Sequence, residues 1–126
     1  MPDIKKPDIK NAYEKLFEKS KGKKIVIYGA GVMCSELINE LSKYSIKANG
    51  IAVTCVEENL TEYENLPVTT IDNFSCDDII LIAIKDPHTS FAIKNTLLSK
   101  GYKKIVEFDF THGLLPNIED ITKELI

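Results

Sequence analysis

The stretch Lys24–Leu41, "KIVIYGAGVMCSELINEL", decides the fold. "KIVIYG" is apolar at successive positions, the pattern of a strand buried on both faces in a parallel sheet. The glycines of "GAG" follow at once, and Met33, Leu37, Leu41 and Tyr44 then recur at helical spacing, with Ile38 widening the stripe. A strand, a glycine turn and a helix in immediate succession open a βαβ ligand-binding unit. Gly29 makes the tight turn, Gly31 lets a phosphate approach the backbone, and the amides of Val32 and Met33 begin the helix at the same place. Cys34 stands where a G-x-G-x-x-G turn has its third glycine. At a helix N-terminus a cysteine packs as a small hydrophobe or leans toward thiolate. No histidine is paired with it in sequence, so the packed thiol is the preferred reading.

Outward from this stretch, strand and helix patterns alternate. Before it, residues 8–20, "DIKNAYEKLFEKS", place Ile9, Tyr13, Leu16 and Phe17 on one face and predict an amphipathic helix. After it, "NGIAVTC" is a second strand and "LPVTT" a third. The ten mostly polar residues between those two are barely enough for a parallel crossover and hold at most a stunted helix. Asp72 caps a single turn, and "DDIILIAI" is the strongest strand in the chain. It runs into "KDPHTS", where Asp86 is suited to the N-cap and Pro87 to the first helical position. That helix stops at Gly101, "KKIVEFDF" is a fifth strand, and 117–126 predicts a last helix. The expectation is α/β: a Rossmann-like, doubly wound parallel sheet of about five strands in the order 3-2-1-4-5. One domain spans 1–126, with its core at about 22–108 and helical extensions at 8–20 and 117–126.

Composition narrows the function. The chain has 126 residues, 44% of them hydrophobic, enough for one core but not for a cofactor domain plus a substrate domain. Its formal net charge is -3 and all 16 basic residues are lysine. Phosphate tracking along a nucleic acid needs a clustered cationic face, so nucleic acid is excluded as a partner. Without arginine the chain supplies no bidentate fork for an NADP 2′-phosphate. Lys19, Lys21, Lys23 and Lys24 form a solvated helix end or, alternatively, an anionic-partner patch. Cys34, Cys55 and Cys76 contain no C-x-x-C pair, which supports neither zinc nor a disulfide framework. There is no run of 18 apolar residues and no apolar core of a signal peptide, so a soluble cytoplasmic protein without membrane insertion is expected.

In a doubly wound sheet ligands bind where the strand order reverses, here between "GAGVMC" and "KDPHTS". Two helix N-termini meet there, so the expected guest is a small anion. Lys85 is the candidate phosphate contact and His88 a candidate sugar contact; the plainer alternatives are a solvated lysine and a first-turn histidine. The second strand ends in Thr54 and Cys55 where a dinucleotide site has an acid for the ribose, with Glu57 and Glu58 beyond the tip. His112 follows the fifth strand and reads as a loop residue.

Taken together, "KKIVIYGAGVMCSELINEL", "IAVTCVEENL", "LPVTTIDNF" and "DDIILIAIKDPHTSFAIKNTLLSKGYKKIVEF" resemble the Rossmann-like nucleotide-sugar-binding domains of bacterial polysaccharide biosynthesis. Those domains accompany glycosyltransferases or form the N-terminal part of PglD-type sugar acyltransferases. The resemblance implies that Gly29, Ala30 and Gly31 line a sugar-nucleotide site, with a UDP-sugar or another nucleotide as ligand. It also implies that the transfer chemistry belongs to an attached catalytic domain, so no catalytic residue and no metal are assigned. The function expected is therefore an accessory nucleotide-sugar-binding domain. The alternatives are an interaction or homodimerisation module with an eroded site, an NAD-binding domain, and a redox sensor using Cys34 and Cys55.

Overall fold

A computed structural model describes residues 9–54, 61–110 and 114–116. The predicted helix 117–126, together with Cys55, Glu57, Glu58 and His112, lies outside them. The architecture is α/β. In chain order the elements are α1 (Ile9–Lys19), β1 (Ile25–Tyr28), α2 (Val32–Ser42), β2 (Gly50–Val53), β3 (Glu62–Tyr63) and β4 (Leu66–Thr70). A 3₁₀ turn (Ile71–Asn73) leads to β5 (Ile79–Ile82), α3 (Pro87–Ser99), β6 (Lys104–Val106), β7 (Phe108–Asp109) and β8 (Leu115–Pro116).

The five-strand order 3-2-1-4-5 expected from the sequence is not what forms: the sheet has six strands, in the order β3-β4-β2-β1-β5-β6. The difference arises in the polar connection after β2. The sequence allows at most a stunted helix there, and Glu62–Tyr63 instead pairs antiparallel with β4 as an edge hairpin. Its two loop residues, Glu64 (φ 53) and Asn65 (φ 64), both have positive φ, the signature of a type I′ turn. The other neighbours, β4 with β2, β2 with β1, β1 with β5 and β5 with β6, are parallel. The chain therefore reverses direction across the sheet between β1 and β5.

A second correction concerns the fifth strand. "KKIVEFDF" does not run through: β6 ends at Val106, and Phe108–Asp109 leaves the main sheet to pair antiparallel with Leu115–Pro116. Glu107 is the break. Its carboxylate, tethered to Ser90 and Lys94, stands between the apolar pair Ile105–Val106 and Phe108.

Alternation along β1 and β5 builds two cores. Ile25, Ile27, Ile79 and Leu81 face α1 and α2, packing on Tyr13, Leu16, Cys34, Leu37 and Leu41. Val26, Tyr28, Ile80 and Ile82 face α3, packing with Leu97, Tyr102 and Ile105. All four residues of β1 and of β5 are buried, as a central parallel strand covered on both faces requires. Each such aliphatic side chain contributes roughly 1.5–3 kcal/mol of burial. α3 begins as its sequence dictates, with Asp86 at the N-cap and Pro87 in the first turn, and Gly101 follows its end at φ 97. α1 is fixed by Tyr13, whose ring stacks on Tyr44 at 4.5 Å and whose hydroxyl donates to the carbonyl of Leu114.

Candidate functional site

The glycine turn lies at the carboxyl end of β1. The Gly29 amide donates to Ala52 O at 2.8 Å, and its φ is +113. A Cβ on Gly29 would lie 3.2 Å from Ile84 Cδ1 and 3.3 Å from Ala83 O, so glycine is needed there both for conformation and for space. Ala30 packs partly into the α1/α2 core. Gly31 is extended (φ -141, ψ -162), caps α2 without a side chain, and has nothing within 4 Å of where its Cβ would be. The α2 amides of Val32 and Met33 lack acceptors one turn back, as at any helix start.

This helix start is shared with the β3–β4 hairpin. The Tyr63 hydroxyl donates to Gly31 O at 3.1 Å and lies 2.7 Å from Ser35 Oγ, which donates to Glu64 Oε1 at 3.1 Å. A carboxylate of the chain itself thus stands in the first turn of α2 and compensates part of its positive end. Cys34 sits beneath, fully buried. Burial first and Glu64 second push its thiol up to about 12. The packed, neutral thiol is therefore the state the fold favours.

The second helix start also carries its own carboxylate. Asp86 Oδ2 accepts from Thr89 Oγ1 at 2.6 Å and from Thr89 N at 3.2 Å. The Thr89 hydroxyl is the main reason that this carboxyl is held below its ordinary range. His88 is an exposed residue of the first turn.

Lys85 is exposed and forms no ion pair with any described residue. It stands between two open clefts. One, of about 900 Å³, is walled by Ile84, Asp86, Pro87, Ser90, Glu107, Phe108 and Phe110. The other, of about 490 Å³, lies along α2 with Met33, Glu36, Asn39, Glu40, Phe110 and Leu114. Met33 and Lys85 are thus brought to one cleft from opposite sides of the crossover point. Thr54 is elsewhere: its hydroxyl meets Tyr28 OH at 2.6 Å and lines a cleft of about 300 Å³ against α3. Gly29, Ala30, Gly31, Val32 and His88 line none of the three clefts.

Beyond Lys85, sequence reasoning missed the binding residues of the larger cleft, and it missed the hairpin contacts of Tyr63 and Glu64. One signal was present: Glu107 is the first charge after the apolar pair "IV", at the carboxyl end of the last parallel strand, where ligands bind in such sheets. Among the described residues, no three His, Cys, Asp or Glu side chains are grouped so as to hold a metal ion, and no helix is long and apolar enough to cross a membrane. No family model, curated protein or solved structure matches the chain.

Proposed function

We propose that the chain is a Rossmann-like accessory domain, not catalytic by itself, that binds a small anionic metabolite of the nucleotide-sugar class for surface-polysaccharide biosynthesis. The observation that supports this is the position of Lys85. It is a cation without an ion pair to any described residue, at the carboxyl edge of the sheet, between two clefts and opposite the Met33 end of α2. A phosphate there takes its charge partner from Lys85, with the opening amides of α2 across the crevice. Glu64 and Asp86 already compensate the two helix ends, so binding depends on Lys85 more than on helix dipoles.

UDP-sugars are expected to raise the melting temperature and to shift the amide resonances of Gly31 and Lys85. Gly31→Ala has room for its methyl group and leaves the unliganded stability within about 0.5 kcal/mol. Lys85→Ala removes the charge partner of the phosphate and weakens binding severalfold. No thermal response to any of a broad panel of nucleotides and nucleotide-sugars overturns the proposal.

A second reading, an interaction or dimerisation module, draws on Phe91 and Leu98. Seven residues apart on α3, they are 59% and 47% exposed. A tight homodimer in sedimentation that Phe91→Asp dissociates, together with no response to nucleotides, would favour it.

A further inference from the structure

The larger cleft holds a carboxylate fixed from two sides. Ser90 is buried and lines it, and its hydroxyl donates to Glu107 Oε2 at 2.9 Å. Lys94 Nζ lies 3.6 Å from Glu107 Oε1. The Glu107 side chain nevertheless remains 23% exposed and lines the cleft. Each oxygen keeps acceptor capacity, and an ionised carboxylate can only accept, so the groups it matches on a ligand are donors. Lys94 offsets the charge, so neutral donors, ring hydroxyls among them, are the fitting class.

The walls match a ring. Phe108 and Phe110 stand with centroids 6.4 Å apart and planes tilted by 44°, and line the cleft together with Ile84 and Pro87. The negative face of an aromatic ring meets the positively polarised C–H face of a saturated ring favourably. A cavity of about 900 Å³, mostly apolar with few oriented polar groups, is of the size and kind that takes a small molecule. At its rim stands Lys85, on the side shared with the α2 cleft.

We propose that this cleft receives the hydroxylated ring of the ligand, with Glu107 accepting hydrogen bonds from its hydroxyls and Lys85 holding the attached phosphate at the mouth. This rests on the nucleotide-sugar reading above and deepens it by assigning the sugar to Glu107, Phe108 and Phe110. Ser90 is a positioning residue: it touches the carboxylate and fixes the direction of its free lone pairs, so little freedom is lost when a ligand binds.

The test compares UDP with UDP-glucose, UDP-galactose and UDP-N-acetylglucosamine by titration calorimetry on the whole chain. At least one UDP-sugar is expected to bind at least about tenfold tighter than UDP, as hydrogen bonds to a charged acceptor allow. Glu107→Gln abolishes that margin and leaves UDP affinity unchanged, while Ser90→Ala loses part of it. In the unmutated protein the amides of Ser90, Glu107 and Phe110 shift with the UDP-sugar and not with UDP, a readout that does not depend on any variant folding. If UDP binds and no sugar adds affinity or moves these amides, the sugar cleft is overturned and the nucleotide reading stands. If neither UDP nor any UDP-sugar binds, both fall.

Discussion

Cys34 shows how one residue reports its surroundings. Its thiol is pushed up to about 12 chiefly by burial, whereas the unfolded chain titrates near the ordinary value of roughly 8.5–9. Between those values the unfolded state releases a proton that the folded state keeps. This contribution is complete below about pH 9 and is lost as pH rises toward 12. Denaturant titrations should show the unmutated protein losing about 1 kcal/mol more than Cys34→Ala between pH 9 and pH 10. Equal losses would mean that the thiol is not held neutral by the fold. The burial of Cys34 was legible in the sequence, because the apolar stripe of α2 passes through it. The Glu64 carboxylate beside it was not, since it arrives from a segment 30 residues away through a turn with no glycine to announce it.

At the scale of elements, the sequence was informative where one local pattern settled the outcome and silent where pairing did. The α3 start followed from Asp86 and Pro87, and α1 from the spacing of Tyr13 and Leu16. The β3–β4 hairpin escaped because its loop is Glu64-Asn65 and not the Asn-Gly or Asp-Gly pair that marks such turns. The hairpin rests on this turn, which places Tyr63 over Gly31. Asn65→Val forces a β-branched residue to positive φ and should lower stability by on the order of 1–2 kcal/mol, whereas Asn65→Gly should not lower it. Thermal melts of the two variants decide this; equal melting temperatures would show that the turn carries no strain. The break at Glu107 escaped for a related reason. Its partners Ser90 and Lys94 lie on α3, and only the fold brings them to the strand end.

For the whole molecule, the α/β class was legible because two central strands are apolar on both faces and are separated by helical periods. The candidate site was legible only in part. Residues next to strand ends, such as Met33 and Lys85, were found, but the aromatic and carboxylate wall of the larger cleft depends on the β7–β8 pair, which no local pattern encodes. That pair is also tied to the start of the chain by the Tyr13 hydroxyl on the Leu114 carbonyl, 101 positions apart. Tyr13→Phe leaves this carbonyl without its donor and should lower stability by about 1 kcal/mol. Hydrogen exchange should show faster opening at the Leu114 and Leu115 amides while β1 and β5 keep their protection; uniform loss of protection would show that the clasp is not a separate unit.

Among the described residues, the six-stranded sheet ends on one side in β3, with two residues, and on the other in β6, with three. An incoming strand from another molecule therefore finds almost no ladder to extend, and Lys104 puts a charge on the β6 edge. The same break at Glu107 that shapes the larger cleft thus truncates the edge that would otherwise be the natural seed for aggregation.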